Sequence, residues 1–118
     1  MKQEMTFEQP NLLIMRVRGK WTREEVLEMN DLAMRLVGDL REINYLADVS
    51  KLTEVPPDAR EALIKHRMPF TYLKMAFFGA NSRLKVLGGL VLKMLPTVKK
   101  SKFFETEEEA RAWIALEK

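Results

Sequence analysis

The chain has 118 residues, 47% of them hydrophobic and 31% charged, which is the size and composition of one globular domain spanning residues 1–118. It has no cysteine, so disulfides, thiolate catalysis and cysteine-based zinc sites are excluded. The net charge of +3 is unevenly distributed, because no acidic residue lies between Glu61 and Glu105. This basic segment favours an anionic partner, unless folding scatters its charges over the solvated edges of helices and strands.

No segment has the pattern of a signal peptide or of a membrane span. The N-terminal residues MKQEMTFEQP contain acidic side chains and no apolar run. The longest apolar stretch, around residues 84–95, is interrupted by lysines and is well short of the roughly 20 residues that a spanning helix needs. We therefore expect a cytoplasmic protein without a transmembrane segment.

The N-terminal residues predict a β-hairpin followed by a helix. Residues 2–8 have the pattern of an edge strand, and residues 11–18 alternate between apolar and polar side chains as a second strand would. Thr22 and Glu25 have the spacing of a capping box, so a helix is expected to begin at Thr22 and to end near Gly38.

The middle of the chain predicts two strands joined by a helix. Residues 44–49 are almost continuously apolar, as in a buried parallel strand, and the sequence SKLTEVPP after them is expected to form a loop. A second helix is expected to begin near Pro57 and to end at Pro69. Residues 72–79 are apolar on both faces and predict an internal strand.

The C-terminal residues predict a helix, a short strand and a last helix. Asn81 or Ser82 is expected to cap a helix over residues 82–95, which Pro96 stops. Residues 102–105 predict a strand, and a second capping box opens the terminal helix. The order ββαβαβαβα indicates an α/β fold, with a mixed, mostly parallel sheet of about five strands covered by helices.

Catalytic and metal-binding patterns are missing from the sequence. His66 is the single histidine and has no second histidine or acidic residue at ligand spacing, so we expect it to have a structural role. The acidic run at 107–109 has the position of a helix cap, and no phosphate-binding loop is present. We therefore expect no enzymatic activity, no metal and no cofactor.

Polar side chains follow two of the predicted parallel strands. In open α/β sheets, ligands lie beyond the carboxyl ends of such strands. We therefore predict a ligand or partner site at this edge, the alternative being ordinary loop and capping residues. The residues of the predicted site are Asp48, Ser50, Thr53, Gly79, Asn81 and Ser82.

The predicted helix 82–95 has apolar side chains on nearly every side, which is broader than the stripe that a surface helix needs. A neighbouring helix, a second subunit or lipid could cover the excess, and nearby lysines favour an anionic lipid surface. The candidate interface or lipid surface comprises Leu87, Leu90, Val91, Lys93, Met94, Lys99, Lys100 and Lys102.

Three segments carry a resemblance to a known family: NYLADVSKLTEVPPDAREAL, LKMAFFGANSRLKVLGGLVLK and KFFETEEEARAWI. With the element order, they resemble the STAS domains, and most closely the bacterial stand-alone proteins similar to the sporulation anti-anti-sigma factor. The resemblance implies a small regulatory module of α/β fold. In its phospho-switched members, the helix after the strand that ends in an Asp-x-Ser-like segment begins with a serine that a partner kinase phosphorylates.

The predicted start of the second helix departs from that pattern. Asp48 and Ser50 match the strand end, but residues 56–59 are Pro-Pro-Asp-Ala and contain no hydroxyl. Ser50 and Thr53 lie too early in the chain, so we expect no phosphoserine switch, although phosphorylation of either residue is a testable alternative. Asp58 is either a fixed negative charge at the serine's place or an ordinary first-turn acid, and it completes the predicted site.

Two function hypotheses follow. In the first, the chain is a non-enzymatic binding or regulatory module of STAS type, acting through protein–protein contacts, self-association or a small apolar ligand. In the alternative, it is a peripheral protein that binds anionic membranes through the helix 82–95 and its flanking lysines. Nucleic-acid binding ranks last, because basic motifs interleaved with aromatic residues are missing.

Overall fold

The computed structural model describes residues 3–66, 68–95 and 97–116. Its strands are β1 (Glu4–Glu8), β2 (Leu12–Lys20), β3 (Glu42–Glu54), β4 (Thr71–Phe78) and β5 (Val98–Phe104). Its helices are α1 (Arg23–Val37), α2 (Pro57–Lys65), α3 (Ser82–Lys93) and α4 (Glu107–Ala115). The order ββαβαβαβα predicted from the sequence is confirmed for these residues. Lys2 of the predicted first strand, Arg67 of the basic segment and Pro96 of the predicted helix stop lie outside the described residues.

The described strands form a five-stranded sheet in the order β1-β2-β3-β4-β5. β1 pairs antiparallel with β2, and each later pair is parallel. The prediction of a mixed, mostly parallel sheet is therefore confirmed. β4 lies between β3 and β5, which is the internal position that its apolar sequence predicts.

Helices cover both faces of the sheet, and each face has its own core. The face under α1, α2 and α3 has the larger core, in which Leu13 and Val26 are fully buried. α4 covers the other face, where Leu46, Ala76 and Ala110 are fully buried. Because successive strand residues point to opposite faces, the nearly continuous apolar sequences of β3 and β4 supply both cores.

Polar side chains cap the first turns of α1, α3 and α4. Thr22 Oγ1 accepts a hydrogen bond from the backbone N of Glu25 at 3.2 Å, and the carboxylate of Glu25 accepts one from the backbone N of Thr22 at 3.0 Å. Thr106 and Glu109 form the same reciprocal pair in α4, so both predicted capping boxes are confirmed. Asn81 caps α3. Among the described helices, none has the length and apolar character required to cross a membrane.

Strand β3 is longer than the sequence predicts. It was expected to end at Val49 and to be followed by a loop, but it continues to Glu54. The reason is that β2 also continues, to Lys20, and provides ladder partners for this segment, with Arg18 opposite Lys51. Such a partner on another strand leaves no local signal in the sequence. The prediction that residues 50–54 form a loop is therefore wrong.

Three other element ends differ from the prediction. α3 ends at Lys93 rather than at residue 95, and α2 ends at Lys65 rather than at Pro69. β5 begins at Val98 rather than at residue 102, because it pairs with β4 from Tyr72 onward.

Candidate ligand-binding site

Three of the predicted site residues, Asp48, Ser50 and Gly79, meet at the end of β4. The carboxylate of Asp48 accepts hydrogen bonds from the backbone N of Ser50 at 3.0 Å and from its hydroxyl at 2.7 Å. It also accepts one from Arg16 Nη1 at 3.0 Å. Partial burial would raise the pKa of Asp48, but the hydrogen bonds from Ser50 and Arg16 outweigh it and hold this pKa below its ordinary value.

Gly79 allows the chain after β4 to approach β3 closely. Its φ is +84°, and a Cβ at this position would lie 2.5 Å from Ser50 Cβ and 2.8 Å from Ser50 Cα. The backbone N of Gly79 donates to the carbonyl of Phe104 at 3.1 Å, which ties the same residue to the end of β5. A residue with a side chain does not fit here without moving β3 or β5.

The other predicted site residues do not join this group. Thr53, Asn81 and Ser82 line a surface groove between the end of β3 and the start of α3. Asn81 Oδ1 accepts a hydrogen bond from the backbone N of Leu84 at 2.9 Å and so acts as the cap of α3. Asp58 is exposed in the first turn of α2 and does not line that groove. The predicted site is thus divided into a packed cluster, a groove and one isolated acid.

Arginines connect Asp48 to α4 across the surface of the sheet. Arg16 pairs with both Asp48 and Glu107, and Arg111 pairs with both Glu107 and Glu8. The hydrogen bonds from Arg111 and Arg16 hold the pKa of Glu107 below its ordinary value, and the hydrogen bond from Arg111 does the same for Glu8. These side chains are partly exposed, so each pair contributes little stability by itself, and together the pairs join β1, β2 and β3 to α4.

The structure contains an apolar cavity of about 130 Å³ between the sheet and α3. None of the residues of the predicted ligand or partner site lines this cavity, whereas Leu87 and Val91 of the predicted surface do. Residues of β2, β3, β4 and β5 form its floor, and residues of α2 and α3 cover it. The lining includes Trp21, Tyr45, Arg60, Leu87, Gly88 and Val91. The signal that could have indicated it is the apolar excess of the predicted helix 82–95, together with its two glycines.

Gly88 sets the distance between α3 and the sheet at one point of the cavity. A Cβ on Gly88 would lie 3.0 Å from the ring of Phe103, which stacks on Phe77 with ring centroids 5.1 Å apart. Gly89 has open space around its Cα, so the two glycines have different surroundings. Although α3 closes the cavity, none of its described residues is fully buried.

Three cavity residues carry polar groups. The fully buried Tyr45 hydroxyl donates to Met15 Sδ at 2.8 Å, and burial raises the pKa of Tyr45 so that this hydroxyl stays protonated. Trp21 Nε1 and Arg60 Nε are both buried and have no hydrogen-bond partner within the described part of the chain. The proton of the Tyr45 hydroxyl is thus already engaged, and Trp21 Nε1 and Arg60 Nε are the two groups left to donate a hydrogen bond to an occupant of the cavity.

The outer face of α3 carries an apolar stripe. Val86, Leu90 and Met94 are spaced four residues apart, which places them on one side of the helix, and they are 68%, 57% and 61% exposed. Leu87 and Val91 of the predicted surface are half-buried and line the cavity. The sequence-predicted interface on α3 is therefore divided between an inner wall and an outer stripe.

The basic segment does not form one surface. Lys100 and Lys102 are in register with Lys74 and Ala76 of β4, and Lys74 Nζ donates to carbonyls at the end of α4. Neighbours in register on a sheet point to the same face, so Lys100 and Lys102 lie on the α4 face, opposite α3. Lys99 and Lys93 are exposed, and Lys93 belongs to α3.

No metal site is visible in the described ranges, which contain no group of three or more His, Asp or Glu side chains placed to hold an ion. His66 is exposed at the C-terminal cap of α2, where its backbone N donates to the carbonyl of Ala62 at 3.0 Å.

Comparison with known proteins assigns the family. A sequence model described as SpoIIAA-like matches residues 12–115. The chain belongs to the SpoIIAA-like family. This confirms the STAS-type resemblance seen in the sequence.

A solved structure of similar fold comes from Shewanella loihica PV-4 and is described as an uncharacterized protein from the DUF3478 family with a SpoIIAA-like fold. It is 22% identical in sequence, with a TM-score of 0.70, and the match covers 96% of this chain and 92% of that chain. At this level of identity the likeness shows the fold alone. A comparison with curated proteins finds no match.

In this SpoIIAA-like domain, no hydroxyl side chain stands at the start of α2. That helix begins with Pro57 after Pro56, and Asp58 is exposed in its first turn. The nearest preceding hydroxyls, those of Ser50 and Thr53, lie within β3, where the sequence analysis expected a loop.

Proposed function

We propose that this SpoIIAA-like domain is a non-enzymatic binding module that takes a small apolar ligand in the cavity beneath α3. The observation that carries the proposal is the cavity itself, about 130 Å³ in volume and lined almost entirely by apolar side chains. Ligand pockets are typically lined in this way, with a few polar groups that orient the ligand. Ligand binding would change how α3 packs, and α3 is the surface that a protein partner would contact.

The volume sets the size of the ligand. An apolar cavity of roughly 150 Å³ engineered in another protein stays free of water and admits benzene. A body of about six carbons is therefore the natural occupant here. Burial of six carbons at ~0.8 kcal/mol each gains about 5 kcal/mol, which corresponds to a Kd of roughly 0.2 mM before ordering costs.

The start of α2 supports regulation without the phosphoserine switch. Asp58 occupies the first turn, and the neighbouring positions carry prolines and alanine. A module of this kind would signal through ligand occupancy rather than through a phosphate at that place. Incubation with a cognate anti-sigma kinase should leave the chain unmodified, and a phosphopeptide containing Ser50 or Thr53 would contradict this part of the proposal.

A matched pair of variants on α3 tests the ligand proposal. Val91→Phe adds a ring to a residue that lines the cavity, whereas Val86→Phe makes the same change on the exposed stripe. Titration with 1-hexanol, followed by NMR of the 15N-labelled protein, should show binding to the wild type. Val91→Phe should weaken it about ten-fold, or ~1.4 kcal/mol, and Val86→Phe should leave it unchanged. Equal binding by both variants, or none by the wild type, would reject the cavity as the site.

A second candidate function is peripheral binding to anionic lipid through the outer stripe of α3. Its support is the exposure of Val86, Leu90 and Met94 beside the exposed Lys85 and Lys93. Leu90→Glu should abolish co-sedimentation with vesicles that contain phosphatidylserine, and added salt should weaken it. Met34→Glu, the same kind of change at an exposed apolar side chain of α1, is the control. Sedimentation that is indifferent to lipid charge would rule out this function.

A further inference from the structure

The polar side chains that the described residues place around the cavity are mainly donors, and the Tyr45 hydroxyl oxygen is the one side-chain oxygen among them. They belong to Trp21, Tyr45 and Arg60. Indole and guanidinium groups can only donate, and the Tyr45 hydroxyl donates to a thioether, which is a weak acceptor. No Asp, Glu, Asn, Gln, Ser, Thr or His side chain of the described residues lines the cavity. An occupant that satisfies these groups must therefore bring the acceptors itself.

Trp21 provides the most buried of the unpaired donors. The residue is 7% exposed, and Nε1 has no hydrogen-bond partner among the described residues. The backbone N of Trp21 donates to the carbonyl of Glu54 at 2.9 Å, which fixes this residue beside the end of β3. Buried donors without an acceptor are rare in folded proteins, because they have lost water and gained nothing in return.

Arg60 places a positive charge at the boundary between the cavity and solvent. It lines the cavity, the groove between the end of β3 and the start of α3, and a second groove between α2 and α3. Its Nε is buried without a partner, and none of the ion pairs found among the described residues includes it. A partly buried guanidinium normally pairs with an anion.

We infer that the cavity ligand is a small carboxylic acid with an apolar body of about six carbons, bound as its carboxylate by Arg60 and Trp21. This inference rests on the proposed function, since it names the chemical class of the ligand that occupies the same cavity. The apolar body fills the space beneath α3. The carboxylate lies at the Arg60 side, where the cavity meets the surface.

A carboxylate fits better than other acceptors for two reasons. A guanidinium forms two parallel hydrogen bonds to a carboxylate, and it pairs charge with charge. An alcohol or a ketone would satisfy one donor and leave the charge of Arg60 unpaired. A free fatty acid and a small aromatic acid share this chemistry, so hexanoate and benzoate serve as the two probes that distinguish these sources.

Binding constants for matched head groups provide the test. Hexanoate and 1-hexanol have the same carbon skeleton, as do benzoate and benzyl alcohol, and each is titrated into the full chain by calorimetry at pH 7. At least one acid should bind about ten-fold or more tightly than its alcohol, because charged hydrogen bonds are stronger than neutral ones. In wild-type NMR spectra, that acid should shift the Trp21 Nε1–H signal downfield and leave that of Trp113 in place. Trp21→Phe assigns the signal.

Arg60→Met and Arg35→Met identify the group that binds the carboxylate. Both remove one positive charge, but Arg35 is exposed on α1 and does not line the cavity. Arg60→Met should reduce the preference for the acid to within about two-fold, and Arg35→Met should preserve it. Circular dichroism confirms that both variants fold. The NMR signal of Trp21 in the wild type keeps the test decisive if Arg60→Met unfolds.

The outcomes separate this inference from the proposed function. If acids and alcohols bind equally at the cavity, the head-group inference is wrong and the apolar site stands. If none of the probes binds, both fail. If the acid is preferred but Arg60→Met behaves like Arg35→Met, or the Trp21 signal does not move, the carboxylate is bound elsewhere and the inference is overturned.

Discussion

Gly79 and Gly38 form a natural pair for measuring how tightly the end of β4 is packed. Both have positive φ, +84° and +64°, but a Cβ on Gly38 would meet no atom within 4 Å. Gly38→Ala should therefore cost only the backbone strain, about 1–3 kcal/mol. Gly79→Ala should cost the same strain plus the overlap with Ser50, where the new Cβ would lie 2.5 Å from a carbon atom. Overlap in a packed region costs a further ~1–3 kcal/mol.

Urea denaturation followed by circular dichroism measures the difference. With an m-value of about 1.5 kcal/mol per molar urea, the extra overlap should lower the unfolding midpoint of Gly79→Ala by roughly 0.7–2 M relative to Gly38→Ala. The hydrogen bond from Gly79 to Phe104 prevents the chain from moving away, because it ties this residue to β5. Equal midpoints for the two variants would show that the contact with Ser50 relaxes freely and that the end of β4 is not closely packed.

Two further predictions concern α4. Lys74 is buried, and its Nζ donates to the carbonyls of Trp113 and Leu116. Lys74→Met should therefore lower the free energy of unfolding by about 1–3 kcal/mol and speed amide exchange in α4. Unchanged amide exchange would contradict a role of Lys74 in docking this helix. The pKa values of Asp48 and Glu107 are lowered in the folded state from ordinary values of 3.8 and 4.5. Their stabilisation is therefore fully present above about pH 5 and is lost as pH falls through the lowered folded values. Unfolding free energies measured between pH 6 and 3 should show this decline, and it should be shallower in Arg16→Met.

Local signals explain what the sequence predicted well. The capping boxes at Thr22 and Thr106 need only residues three positions apart, and the apolar strands need only their own composition. The element order and the mixed sheet follow from these. The extension of β3 to Glu54 could not be predicted, because it depends on a partner strand far away in the chain.

The candidate site was less predictable because its residues are brought together by packing. Ser50 and Thr53 were expected in a loop but lie within β3. Of the residues predicted for the site, Asp48, Ser50 and Gly79 are the ones that form a packed cluster. The cavity is built from four strands and two helices, and its existence depends on how closely α3 approaches Phe103. The apolar excess of the predicted helix 82–95 is visible in the sequence, but periodicity cannot distinguish an inner wall from an outer stripe.

The separation of the two cores gives each face of the sheet its own fluorophore. The chain has two tryptophans; Trp21 is buried in the larger core and Trp113 packs against the smaller one, beside Phe104. Trp113→Phe leaves emission from the α1–α3 face, and Trp21→Phe leaves emission from the α4 face. Stopped-flow traces of the two variants would thus time the assembly of each core separately and show whether the single helix α4 docks before or after the other three.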